Sequence, residues 1–323
     1  MSGKLLYFFI AVSLMSLPKG IFGQAPDLGA ASDFALFTAV GALDNTGVST
    51  VTGDVGSNTY AATGFPPGTV VGTIYNPPDP KLAQAATDVI NAYTYLSTLG
   101  GSVLGVGLGN GQILTPGVYN TGAASTLNGN LILDGQNDPD AVFIIRIGGA
   151  FATGGSSTVT LIDSASACNV YWQIGGQFDL GDGSIFRGTS IVDGAINLVG
   201  TSYLNGRALS KGGAISLVAN TVNFLPAAAG TVSGTAVVCQ GQTGVIFSVP
   251  AIANATSYSW TIPSGATITS GANSNSITVD FSISSVSGNI TVQGINSCGT
   301  GTVSATYAVT VNYLPITSLI WHF

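Results

Sequence analysis

The sequence predicts a mainly β protein: an interrupted β-solenoid with one long α-helix alongside it, followed by an antiparallel β-sandwich. Three observations carry this: a glycine-phased repeat over residues 141–224, a single amphipathic stretch set inside the repeat, and a change of texture after Phe224. Stacked without gaps, Gly149, Gly176, Gly194 and Gly213 share a column. Two positions on stand Phe151, Phe178, Ile196 and Ile215, then Thr153, Leu180, Leu198 and Leu217, and four further on Ser157, Ser184, Ser202 and Thr221. Short alternating runs recurring every 18 to 27 residues mark coils that cannot bury their own apolar edge and so stack on a neighbour. Ser125–Gly129 and Ser49–Gly53 align with Ser202–Gly206, so the repeat begins near residue 45, breaks off, and resumes near 119.

In chain order, Lys4 and the apolar run Leu5–Leu17, followed by Pro18-Lys19-Gly20, make residues 1–23 a signal peptide cut near Gly23/Gln24; the mature chain is expected outside the cell. No later apolar run is long enough to cross a bilayer. Asp33–Val40 is an opening strand, and the first coil follows over residues 45–56. The Pro/Gly-rich passage 64–80 reads as an irregular cap. Asp79 is the N-cap and Pro80 the first residue of the helix. Leu82, Ala85, Ala86, Val89, Tyr93 and Leu96 form its apolar stripe, and Gly100-Gly101 stop it. Such a stripe needs a large apolar surface, and the side of the coils is the one available. The helix would then carry the chain lengthwise, letting the first coil dock against coils that come later in sequence. The solenoid unit is placed at 24–224, a linker at 225–230, the sandwich at 231–313 and a tail at 314–323. Strands are expected at 244–249, 257–262, 276–281, 288–294 and 305–311, with Trp260 as a core anchor.

Composition narrows the function. Charged residues are 7% of the 323, there are seven Lys plus Arg, and all 14 acidic residues are Asp, which excludes a nucleic-acid footprint. Export permits a disulfide. Cys239 and Cys298 lie in the same C-terminal region and are the expected pair, leaving Cys168 as a small buried residue at a coil junction. His322 is the one histidine and no Cys-x-x-Cys occurs, so no metal site and no cofactor is expected. The aspartates, Asp179 and Asp182 among them, mostly adjoin corner glycines, where a short carboxylate satisfies turn amides. Asp134–Asp138 lacks calcium-loop spacing, and Arg146 and Arg187 flank strands, where packing or an ion pair accounts for them. No catalytic residue is assigned.

What remains is surface. With Val51, Leu127, Val159, Phe186 and Leu204 facing inward, Thr50 and Thr52, Thr126 and Asn128, and Thr158 and Thr160 point out, as do Ile185, Arg187, Tyr203 and Asn205. Threonine favours strands whatever its task. Even so, rungs repeating at about 4.7–4.9 Å would set these hydroxyls and methyls in a regular, uncharged grid on one flat wall. That suits ordered water better than a sugar or peptide, which needs convergent polar groups in a concavity.

The chain resembles the secreted ice-binding proteins of the DUF3494 type. The resemblance runs from about Leu28 to Phe224 and rests on residues 52–56 (TGDVG), 114–119 (LTPGVY), 140–145 (DAVFII), 169–174 (NVYWQI) and 204–209 (LNGRAL). It implies a discontinuous right-handed β-helix of triangular section with a helix packed along it, and an ice crystal as partner for one flat wall. Some members repeat a Thr-Ala/Gly-x-Thr/Asn motif. Thr46-Gly47-Val48-Ser49 and Thr153-Gly154-Gly155-Ser156 match it with serine last, while Thr121-Gly122-Ala123-Ala124, Val199–Ser202 and Val218–Thr221 depart further. The candidate ice-contact set is therefore Thr46, Ser49, Thr50, Thr52, Thr121, Thr126, Asn128, Thr153, Ser156, Thr158 and Thr160. The second unit is similar to PKD-like modules of exported proteins, which act as spacers or adhesive units. The whole is expected to be a monomer, with attachment to a cell surface falling to the second unit. The competing expectation is an adhesin whose solenoid is only a stalk.

Overall fold

The structure, a computed structural model, describes residues 23–252, 255–296 and 298–313. The expected signal peptide, apart from Gly23, and the expected tail lie outside the described residues. The amino-terminal unit is a pile of parallel strands arranged as three walls. The first wall runs through Ser102–Val103, Gly117–Asn120, Phe143–Ile147, Val170–Ile174, the later halves of Ile185–Val192 and Tyr203–Ser210, then Phe34–Thr38, Asp54–Ser57 and Ile74–Tyr75. The second comprises Gly107–Gly109, Ser125–Asn128, Phe151–Thr153, Phe178–Leu180, Ile196–Leu198, Ile215–Leu217 and Leu43–Asn45, with Thr63 bridged to Asp44. The third comprises Gln112–Leu114, Asn130–Asp134, Thr158–Ile162, the early halves of Ile185–Val192 and Tyr203–Ser210, Thr221–Asn223, Thr50–Thr52 and Thr69–Val71.

The rung that begins with Phe34 stacks on the rung that ends at Asn223, as the interrupted repeat predicts. Two boundaries differ from expectation. Stacking resumes at Ser102, one rung before 119, because Ser102–Val103, Gly107–Gly109 and Gln112–Leu114 are too short and glycine-rich to show a period. The passage 64–80 is not merely a cap, since Thr69–Val71 and Ile74–Tyr75 continue two walls for a further rung.

Helix α1 (Pro80–Thr98) joins the two ends of this pile. Asp79 accepts from the Lys81 amide at 2.7 Å, and Leu82, Ala85, Ala86, Val89, Ala92 and Leu96 are buried; Ala92 takes the place expected of Tyr93, which is half-buried. The stripe packs on the first wall, against Phe34, Phe37, Ile144, Tyr171, Ile191 and Leu209. Nineteen residues rise about 28 Å, most of the length of a wall whose nine strands span about 38 Å. Arg146 reaches from the wall to donate to the Ser97 and Leu99 carbonyls, supplying the cation that the last turn lacks. At the other end Lys81 pairs with Asp33 at 3.1 Å and Asp54 at 2.9 Å. Burial works against its charge, yet bonds to Asp54, Tyr75 and Asp33 outweigh this and hold its pKa above the ordinary lysine range.

After Phe224 come two sheets with their own core, centred on Phe247, Ile277, Val279, Phe281, Ile290 and Val292. Their pairings are antiparallel except Val237–Cys239 with Tyr307–Asn312, which run parallel. All five expected strands are present within about two residues; Ser233–Gly234, Val237–Cys239, Ala266–Ser270 and Gly299–Thr300 are additional. Trp260 packs only at the rim of this core, its indole donating to the Ser274 carbonyl at 2.9 Å. The disulfide expectation is overturned: Cys298 joins Cys168, and Cys239 is free and exposed. The reason is topological. Cys239 lies on a strand paired with Tyr307–Asn312, whereas Cys298 sits between Gly288–Asn296 and Gly299–Thr300, on a hairpin that leans on the first unit beside the turn Ala167–Asn169.

Candidate functional site

The helix covers the first wall, so the second and third are the surfaces on which the candidate residues fall. Five of the second wall's strands bury both end residues and turn only the middle one outward. Its central outward column is Gly107, Thr126, Ala152, Asp179, Asn197, Ser216, Asp44 and Thr63. The ladder continues one step before the strands through Ala124, Ala150, Gln177, Ala195, Ala214 and Ala42, where the amide of the residue that follows each one donates to the carbonyl of its counterpart on the next rung. On the other side lie Asn128, Gly154, Gly181, Val199, Val218 and Thr46. Three columns of side chains no larger than glutamine make a regular face, here termed the small-residue wall. Hydrogen bonds run along its centre from Thr63 to Asp44 (2.5 Å), Ser216 to Asn197 (2.8 Å) and Asn197 to Asp179 (2.6 Å).

On the third wall the alternation is reversed. The middle residues Leu131, Val159, Phe186, Leu204, Val222 and Val51 are buried and two columns face out. One reads Asn130, Thr158, Ile185, Tyr203, Thr221, Thr50, Thr69; the other includes Ile113, Ile132, Thr160, Arg187, Asn205, Asn223, Thr52 and Val71. This threonine wall is uneven, because Tyr203, Arg187 and three isoleucines stand among the hydroxyls. Arg187 is tied down by donating to the Val159 carbonyl.

The eleven candidates therefore do not share one wall. Thr50, Thr52, Thr158 and Thr160 lie together on the threonine wall, whereas Thr126, Asn128 and Thr46 belong to the small-residue wall. Ser156 sits exposed at the corner between them with positive φ. Ser49, Thr121 and Thr153 are buried. Ser49 donates to Asn45 at 2.6 Å, Thr121 to the Ala123 carbonyl at 3.0 Å, and Thr153 to Ser184 at 3.2 Å; they satisfy corner backbone and side chains and offer nothing to solvent. The Thr-Gly-x-Ser matches thus fall at turns. The gap-free alignment misled twice. From Leu127 to Asn130 the corner is two residues shorter than from Thr153 to Thr158, so Ser125–Gly129 sits one wall earlier than Ser202–Gly206. At Leu217–Thr221 it is one residue shorter than at Leu198–Tyr203, so Asn220, not Thr221, stacks on Ser202. Among the missed residues, Ala124, Ala150 and Ala152 carried no signal, since alanine in a strand reads as filler.

A long, regular wall of small side chains, with only an open depression over Ala124, Thr126, Ala150 and Ala152, has the form of a surface that meets an extended partner rather than a small molecule. The sequence profile of the ice-binding-like family matches residues 37–223, more than half of the chain, and that of the PKD-like domain matches 225–309. The chain belongs to the ice-binding-like family. It is 38% identical over 200 residues to an ice-binding protein of Nostoc sp. (strain HG1), covering 61% of this chain and 73% of the relative. A crystal structure of an ice-binding protein from an Antarctic Flavobacteriaceae bacterium superposes with a TM-score of 0.61 at 36% identity, over 68% of this chain and 54% of that one. The DUF3494 domain of Shewanella frigidimarina ice-binding protein 1 gives 0.57 at 31% identity, over 63% and 98%. The chain spans only 26% of a full-length Shewanella relative, so the similarity there is to one part of a longer protein.

Proposed function

We propose that this protein binds ice through the small-residue wall and thereby restrains ice growth and recrystallisation, without catalysing a reaction. In this reading the parallel pile is a discontinuous right-handed β-helix, residues 24–224 form the binding unit, 225–230 the connection and 231–313 a second unit through which a monomer is held at a cell surface. Export by the amino-terminal signal fits the Cys168–Cys298 bridge, a bond favoured in oxidising compartments.

The observation that carries the reading is the three-column grid. Ice is a rigid lattice, so a complementary surface must be flat over many rungs; a single large side chain would hold the rest away. The rung spacing of about 4.8 Å and a column spacing of about 6.7 Å fix a two-dimensional array, in which methyl groups order the neighbouring water and hydroxyls and amides anchor it. Asp44 and Asp179 accept bonds from Thr63, Gln177 and Asn197, so even the carboxylates are built into the row. Thr221, Thr50 and Thr69, consecutive and exposed on the threonine wall, favour a second reading in which that wall carries the activity.

One pair of substitutions separates the readings. Ala152→Tyr should abolish thermal hysteresis with an unchanged far-UV spectrum, and Thr50→Tyr should leave at least about four-fifths of it. The reverse result would move the site to the threonine wall. Full hysteresis in both variants would sink both assignments, and its absence from the unmodified protein would leave the adhesin reading.

A further inference from the structure

We infer that the second unit is a clamped arm, fixed on the parallel pile by its connection and by the hairpin that carries Cys298, and that the Cys168–Cys298 bond is the lock. A six-residue, alanine-rich connection would ordinarily permit two domains to swing independently. Here it is anchored at both ends. Leu225 packs against the core of the pile, while Ala227 and Ala229 pack against the core of the sandwich. The Ala229 amide donates to the Thr302 carbonyl at 3.1 Å.

The hairpin fits closely over this connection. A Cβ at Gly294 would lie 3.0 Å from Pro226 Cβ, and one at Gly301 would lie 2.6 Å from the Pro226 carbonyl oxygen. Asn296 donates to the Phe224 carbonyl at 3.1 Å, and the Phe224 ring is itself held 4.0 Å from the Arg207 guanidinium. Beyond them the disulfide ties residues 130 positions apart, joining the turn Ala167–Asn169 of the pile to the tip of the hairpin.

All of these contacts gather at one edge. The crevices between the units are lined by Gly53, Gly72, Leu161, Asn205 and Phe224, at the corner joining the threonine and helix-covered walls. The arm therefore leaves the small-residue wall clear and holds at a fixed angle to it whatever the sandwich is attached to. Without the bond, a few hydrogen bonds and one small apolar contact would have to resist the rotational freedom of a whole domain.

The lock can be opened chemically. A dithiothreitol thiolate attacks one sulfur of the bridge and displaces the other as a thiolate. Its second thiol then releases the first, leaving two cysteine thiols and the cyclic disulfide of the reagent. The test uses the full mature chain carrying Cys239→Ser, which removes the free thiol as an exchange partner. In the oxidised protein, backbone 15N relaxation should give one rotational correlation time for both units. On reduction the sandwich amides should report a time at least about twofold shorter, while their chemical shifts stay dispersed. Two times in the oxidised protein, or a single time that survives reduction, would overturn the inference. Should reduction unfold the sandwich, small-angle scattering from the untouched oxidised protein decides. A profile fitted by one arrangement supports the clamp, and a profile requiring an ensemble of arrangements overturns it. Neither readout involves ice, so the outcome is independent of the assignment of the binding wall.

Discussion

The two open walls are made by the same rungs, with the same parallel register, yet they present opposite phases of the strand alternation. On the small-residue wall the middle residue of each three-residue strand faces out, as in Phe151–Thr153 and Ile215–Leu217; on the threonine wall it faces in, as in Thr50–Thr52 and Thr221–Asn223. The corner between them sets that phase. From Leu198 to Tyr203, for instance, the chain exposes Val199 and Thr201, buries Ser202, and emerges with Tyr203 outward. Because side chains alternate with a period of two, corner length decides which residues of each rung reach solvent. A wall's chemistry thus cannot be read from how many threonines its strands contain. The threonine-rich strands also expose Tyr203 and Ile185, whereas the wall with two threonines in its central column, Thr126 and Thr63, is the more regular one.

The inner faces of the two walls differ as well, and this gives the largest stability effect. Phe151 and Phe178 stack at 5.6 Å beneath the small-residue wall, and Phe186 meets Phe178 at 5.0 Å. Towards its far end the threonine wall rests on Leu204, Val222 and Val51. Phe178→Ala should cost about 3–5 kcal/mol in urea unfolding of the first unit, because neighbouring rungs held by backbone bonds cannot collapse into the cavity. Val222→Ala removes two methyl groups from an equally buried site and should cost about 1.5 kcal/mol. Equal costs would show that the aromatic stack gives the small-residue wall no special rigidity.

Much of this architecture was legible in the sequence. The repeat, the helix with its Asp79 cap, the docking of the first coil on the last, and the sandwich strands all follow from local periodicity and turn chemistry, which neighbouring residues encode directly. The candidate site was legible only as a class of surface. Its residues were distributed by corners of three to five steps, as at Leu127–Asn130 and Thr153–Thr158, and a change of one step moves a side chain from solvent to core. Ser49 and Thr153 looked like surface hydroxyls because a buried corner residue with a backbone partner and an exposed one have the same composition. The cysteine pairing failed for a related reason: Cys168 and Cys298 are brought together by the docking of two units, which no local pattern records.

The smallest effect concerns the corner itself. Asp182, fully exposed between the two walls, accepts from the Thr201 amide at 2.8 Å and its hydroxyl at 3.2 Å, and these bonds, with a further one from the Gly183 amide, hold its pKa below the ordinary aspartate range. The facing position must be glycine: Gly200 has φ of +60°, and a Cβ there would lie 2.0 Å from the Asp182 carboxylate oxygen. A carboxyl whose folded pKa is depressed stabilises the fold above its unfolded pKa, and that contribution is lost as pH falls through the folded value. Asp182→Asn should therefore be slightly less stable than the parent at neutral pH. The gap should shrink as the medium is acidified below the usual carboxylate range, and also with added salt, since nothing shields the group from solvent. Chemical denaturation at pH 7, 4 and 2 would measure it. A gap that stays constant with pH would mean that the corner is held by backbone shape and Gly200 alone, and that the phase change between the walls needs no charge to maintain it.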